Sequence, residues 1–132
     1  MQLRNLPVLA LMLCAFALLC AGCKNYQSYW VNVTVSNQTG ALLRDVEIDY
    51  PSASFGINTL AANAIYHYRL KINGSGKIHA QYAAPMGRTI RVDGPILQEN
   101  QQGNISIQLL PDHKILFSDQ LSMGHGDKFS VH

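Results

Sequence analysis

The sequence predicts an all-β fold: a single antiparallel β-sandwich of about seven strands, following an N-terminal export segment. Two observations carry the prediction. Short runs in which apolar and polar residues alternate recur over residues 29–121, the period-two pattern of strands with one buried and one solvated face. Clusters of Gly, Pro, Asn and Asp separate these runs at short intervals, and none of the runs has the helical periodicity of an element that would cover a sheet.

The elements follow in chain order. Val31, Val33 and Val35 alternate with Asn32, Thr34 and Ser36, and Asn37-Gln38-Thr39-Gly40 turns the chain. Val46, Ile48 and Tyr50 alternate with Asp45, Glu47 and Asp49, and Pro51 closes that run. Residues 52–63 are less regular, and Phe55, Ile57 and Leu60 are expected to plug the core from a crossing loop or short strand. Tyr66, Tyr68, Leu70 and Ile72 lead into Asn73-Gly74-Ser75-Gly76, and Ile78, Ala80 and Tyr82 lead out. Asn-Gly between alternating runs predicts a hairpin, because both residues tolerate positive φ. Pro85-Met86-Gly87 turns into a strand over 88–92, and the stretch from Asp93-Gly94-Pro95 through Gln98 to Asn104 reads as a longer loop. Ile105, Ile107 and Leu109 form another strand, Pro111-Asp112 turns it, and Ile115 and Phe117 begin the last. Immunoglobulin-like and transthyretin-like sandwiches both accommodate these elements, with the strand order open. The domain is expected to span 29–121, and the polar stretch 122–132 reads as a flexible tail.

The first 22 residues are different in kind. Arg4 gives a positive start, Leu6 to Leu19 is apolar apart from Pro7, and the segment closes on Leu18-Leu19-Cys20-Ala21-Gly22-Cys23. The apolar run is at or below the length of a membrane-spanning helix, and Ala21 and Gly22 are small enough for a peptidase site. This segment resembles the signal peptide and lipobox of bacterial lipoproteins, with Cys20 where leucine is usual. The resemblance implies a signal peptide over 1–22 and a lipidated mature N-terminus at Cys23. It further implies membrane lipid as a partner through acylated Cys23, two or more chains being needed for stable attachment. Lys24 after the cysteine implies sorting to the outer membrane, facing the periplasm. All three cysteines, Cys14, Cys20 and Cys23, lie in this region, so the mature domain has no internal disulfide and relies on its core. Residues 24–28 form the linker and span at most about 18 Å, which holds the domain close to the membrane and to a membrane-proximal protein partner.

Charge narrows the function further. The mature stretch 23–132 carries nine Lys and Arg against eight Asp and Glu, with no basic run, so no nucleic-acid partner is expected. Gly-x-Ser-x-Gly, His-Glu-x-x-His and a Gly-rich phosphate loop are all missing from the sequence, and neither catalysis nor a cofactor is expected. If Tyr66, Tyr68 and Leu70 point inward, His67, Arg69 and Lys71 point outward, joined across the hairpin by Lys77 and His79 and then by Arg91. These six make a candidate anionic-ligand face for lipid phosphates or cell-wall carboxylates. Asp45, Glu47 and Asp49 form an acidic row that would match the basic face if the strands were adjacent. Their spacing of about 7 Å is too wide for one calcium ion, and the five histidines lack zinc spacing, so no metal is expected. Asn32, Asn37, Asn73 and Asn104 each begin an N-x-S/T triplet, a pattern equally at home in turns and on exposed strands. Trp30 is expected to pack at the end of the sandwich, and Tyr26 either packs there or rests among lipid headgroups.

The expected function is a membrane-anchored lipoprotein acting as a non-catalytic binding or structural module at the envelope surface. The alternatives are a glycan or anionic-lipid binding module using the basic face, and an envelope immunity or inhibitor protein.

Overall fold

A computed structural model describes residues 29–124 of the chain. The signal segment, Cys23, the linker and residues 125–132 lie outside the described residues. Eight strands are formed: β1 (Val31–Asn37), β2 (Leu43–Tyr50), β3 (Ala53–Leu60), β4 (Ile65–Leu70), β5 (Gly76–Ala84), β6 (Arg88–Leu97), β7 (Gln101–Leu110) and β8 (Lys114–Met123). They make two four-stranded sheets, ordered β4-β1-β7-β8 and β3-β2-β5-β6. The fold is thus an all-β sandwich. The immunoglobulin order places the first strand beside the second. Here β1 and β2 lie in opposite sheets, so the order is not the immunoglobulin one.

The core follows from the alternation. Val31, Val33 and Val35 of β1, Val46 and Ile48 of β2, Ile78 and Ala80 of β5, and Ile105, Ile107 and Leu109 of β7 are all buried between the sheets. Phe55 of β3 stacks on Tyr68 of β4 with ring centroids 4.0 Å apart and on Tyr66 at 6.2 Å, closing one side of the sandwich. On the other side β6 meets β8, where a Cβ on Gly94 would stand 2.7 Å from the Phe117 ring. Bulk is excluded there so that the two edge strands can approach.

Several expectations are corrected. The antiparallel sheet is mixed, because β1 and β7 start at the same end and pair in parallel with Val33 beside Ile105. Of the crossing loop or short strand expected here, residues 53–60 form the strand, with Phe55, Ile57 and Leu60 buried as expected, and they supply the eighth strand. Pro51 and Ser52 (φ 74) make the tight turn that returns it onto β2. The Asn73-Gly74 hairpin does not exist: β4 pairs with β1, whereas β5 pairs with β2 and β6. Gly74 does take a positive φ of 80, but the turn carries the chain from one sheet to the other. Ile72, buried in the core, pins that crossover from beneath. The strand expected over 88–92 continues to Leu97 through a register shift, and β7 begins at Gln101 inside the expected loop. β8 runs two residues past the expected domain edge, to Met123.

One polar side chain is built into the interior. Asn37 is fully buried at the end of β1. Its Nδ2 donates to the carbonyls of Ala41 (2.7 Å), Leu60 (2.9 Å) and Ala61 (3.1 Å), and its Oδ1 accepts from Thr39 N–H (3.0 Å). It ties the β1–β2 and β3–β4 connections together at the end of the sandwich opposite Trp30.

Candidate functional site

The topology divides the six basic candidates. His67 and Arg69 lie on β4 in the first sheet, and Lys71 follows them in the crossover. Lys77 and His79 lie on β5 and Arg91 on β6, in the second sheet. The outer faces of a sandwich point in opposite directions, so these residues form two surfaces rather than one.

The second sheet neutralises itself. Register places Asp49, His79 and Asp93 in one row across β2, β5 and β6, and Glu47, Gln81 and Arg91 in the next. Arg91 Nη1 donates to Asp49 Oδ2 at 3.2 Å and to Gln81 Oε1 at 2.9 Å. His79 Nδ1 bonds Asp93 Oδ1 at 2.6 Å, with Lys77 Nζ 3.7 Å from the other carboxylate oxygen. The His79 bond holds the Asp93 carboxyl below its usual value, while the hydrogen bond and charge of Asp49 raise Glu47. The acidic row therefore does match basic residues, but those of β5 and β6 rather than His67, Arg69 and Lys71. Asp45 drops out of the row because it sits at a register shift with φ 51.

The first sheet presents different chemistry. Arg69, Asn32, Asn104 and Gln120 form one row across β4, β1, β7 and β8, and His67, Thr34, Ser106 and Ser118 form the next. Among the described residues no carboxylate takes an outward position on this sheet, and the only other charge facing outward is Lys114 at the far end of β8. The amides and hydroxyls engage one another weakly: Asn32 Nδ2 to Asn104 Oδ1 is 3.4 Å, as is Thr34 Oγ1 to His67 Nδ1. Both are long beside the usual ~2.9 Å, so these groups hold donors and acceptors in reserve. Trp30 stands at the edge of the face, 40% exposed, with the Arg69 guanidinium 4.2 Å from its ring centroid. The expected packing of Trp30 is corrected: it stands exposed at the edge of the sheet, outside the core, with the Arg69 guanidinium over its ring. A shallow depression lies between Asn32, His67, Tyr68 and Arg69.

Sequence reasoning singled out Arg69 and His67 but missed Asn104, Ser106, Ser118 and Gln120. Their alternation with Ile105, Ile107 and Phe117 marked them as outward-facing, but the parallel pairing that brings them beside Asn32 and Thr34 has no local signal. Of the N-x-S/T triplets, Asn32 and Asn104 sit on this open face, whereas the buried side chain of Asn37 is spent on the backbone. At the opposite end a cavity of about 290 Å³ is lined by Leu42, Leu43, Tyr82, Pro85, Leu110 and Pro111 among others. Among the described residues no group of three His, Cys, Asp or Glu is placed to hold a metal ion.

No family model matches the chain, and neither does any curated protein. Among solved structures it is similar to an NMR structure of a protein from Eubacterium rectale, with TM-score 0.48 and 13% identity over 80% of this chain and 100% of that one.

Proposed function

We propose that the chain is a lipoprotein, held in the envelope through acylated Cys23, whose sandwich acts as a non-catalytic binding or structural module. Its working surface is the outer face of the first sheet. The observation that supports this choice is the contrast between the two faces. The second sheet pairs most of its outward charges with one another, through Arg91–Asp49, Lys77–Asp93 and His79–Asp93, with Arg44 and Glu47 outside these pairs. The first carries Arg69 and His67 with no outward-facing carboxylate, beside a field of loosely bonded amides and hydroxyls.

The anchor reading is supported by Leu18 to Cys23, the outer-membrane destination by Lys24, and a membrane-proximal protein partner by the linker 24–28. Trp30 and the start of β1 place the entering chain at one end of the sandwich, so a short linker sets that end toward the membrane.

Site-specific photocrosslinking in the native host tests the choice of face. A photoreactive side chain at Asn104 is expected to capture envelope material, and one at Ser54 on the outer face of the second sheet is not. Equal or greater capture from Ser54 would contradict the assignment.

A further inference from the structure

The geometry points to an acidic glycan as the ligand of this face: a polyhydroxylated chain whose carboxylate seats on Arg69 and whose hydroxyls lie along Asn32, Asn104 and Gln120. This inference rests on the reading of the first sheet as the binding surface.

Three features carry it. Arg69 is stacked over Trp30 at 4.2 Å, so its planar fork is oriented before a ligand arrives. A guanidinium so held meets a carboxylate through two parallel hydrogen bonds with less ordering cost than a free side chain. No carboxylate competes for it from an outward position on its own sheet, so the missing charge is complementary to that of the ligand.

The row beyond Arg69 is uncharged. Asn32, Asn104 and Gln120 are exposed, one, two and three interstrand steps of about 4.8 Å from Arg69, so the row ends roughly 14 Å from the cation. Side-chain amides offer both donors and acceptors, which matches hydroxyl groups that are themselves both. The neighbouring row, His67, Thr34, Ser106 and Ser118, repeats the order: a titratable group on β4, then hydroxyls.

An anionic bilayer would use Arg69 and Trp30 but not the amide row, which separates the two ligands in an experiment. Trp30 is the only tryptophan, so its emission reports this site directly. The measurement is a fluorescence titration of the mature stretch 23–132 carrying Cys23→Ala, free of the apolar segment 1–22, with polygalacturonate, its methyl ester, polyglutamate and phosphatidylglycerol vesicles. Because that variant has no acyl group, the outcome bears on the glycan and leaves the anchor reading untouched.

Polygalacturonate is expected to shift Trp30 emission saturably, and the methyl ester to bind about tenfold more weakly, the loss of one charged hydrogen-bonding partner. Polyglutamate and vesicles are expected to give no saturable shift. Arg69→Glu is expected to abolish the response at an unchanged melting temperature. Asn104→Ala with Gln120→Ala, which leaves Trp30 and Arg69 in place, is expected to weaken binding several-fold. A response to polyglutamate or vesicles equal to that of polygalacturonate would overturn the proposal, as would a folded protein that ignores polygalacturonate.

Discussion

Asn37 shows what one residue does in this fold. With its side chain buried and bonded to the Ala41, Leu60 and Ala61 carbonyls, it replaces water at the end of the sandwich where two connections meet. Asn37→Ala would remove these bonds, leaving the Ala41 carbonyl to Thr39 Oγ1 and the Ala61 carbonyl to the Ala64 N–H, and urea unfolding is expected to show a loss of about 2 kcal/mol. Asn32→Ala, five residues earlier on the exposed face of the same strand, is expected to stay within about 0.5 kcal/mol. Gly103 is a second such residue: at φ 133, a Cβ would stand 2.0 Å from the Gln120 carbonyl oxygen of the neighbouring strand. Asp93 sets part of the acid response. Its folded value lies below 3.8, chiefly because His79 bonds its carboxylate. The stability it contributes is therefore present above pH 3.8 and lost as pH falls through the folded value. Melting temperatures of Asp93→Asn are expected to fall less than those of the native protein when pH is lowered from 5 toward 3.

At the scale of elements, the sequence showed the alternation plainly and the pairing hardly at all. β1, β2, β5 and β7 were legible because each repeats buried aliphatic residues at period two. β3 was not, because Ser54, Gly56 and Asn58 between its core residues look like loop composition, and Ser52 takes a positive φ without being glycine. Asn73-Gly74 announced a turn correctly and its partner wrongly, since turn residues report a local φ and not the sheet the chain enters next. That error merged two charged faces into one, and so the candidate site was half legible: Arg69 and His67 were found, the amide row was not. Two expectations belong to this scale. Phe55→Ala removes the ring stacked on Tyr66 and Tyr68 and is expected to cost about 3 kcal/mol in denaturant unfolding. Two glycines inserted after Gly74 lengthen a crossover rather than reset a hairpin register. They are expected to cost only about 0.6 kcal/mol, with the same folded spectrum.

For the whole molecule, the two sheets divide the labour. The second sheet pairs most of its own charges, and the first leaves hydrogen-bonding groups and Arg69 open beside Trp30. Trp30 also marks the end at which the chain enters, so on the proposed reading the open face begins near the membrane and extends away from it. This arrangement depends on the tether, because without acylated Cys23 the five-residue linker confines nothing. The most direct measurement is therefore the intact mass of the protein extracted from its native host, beside that of Cys23→Ala. The account predicts a mature chain beginning at Cys23 with added acyl mass, absent from the variant. An unmodified mass in the native protein would contradict it.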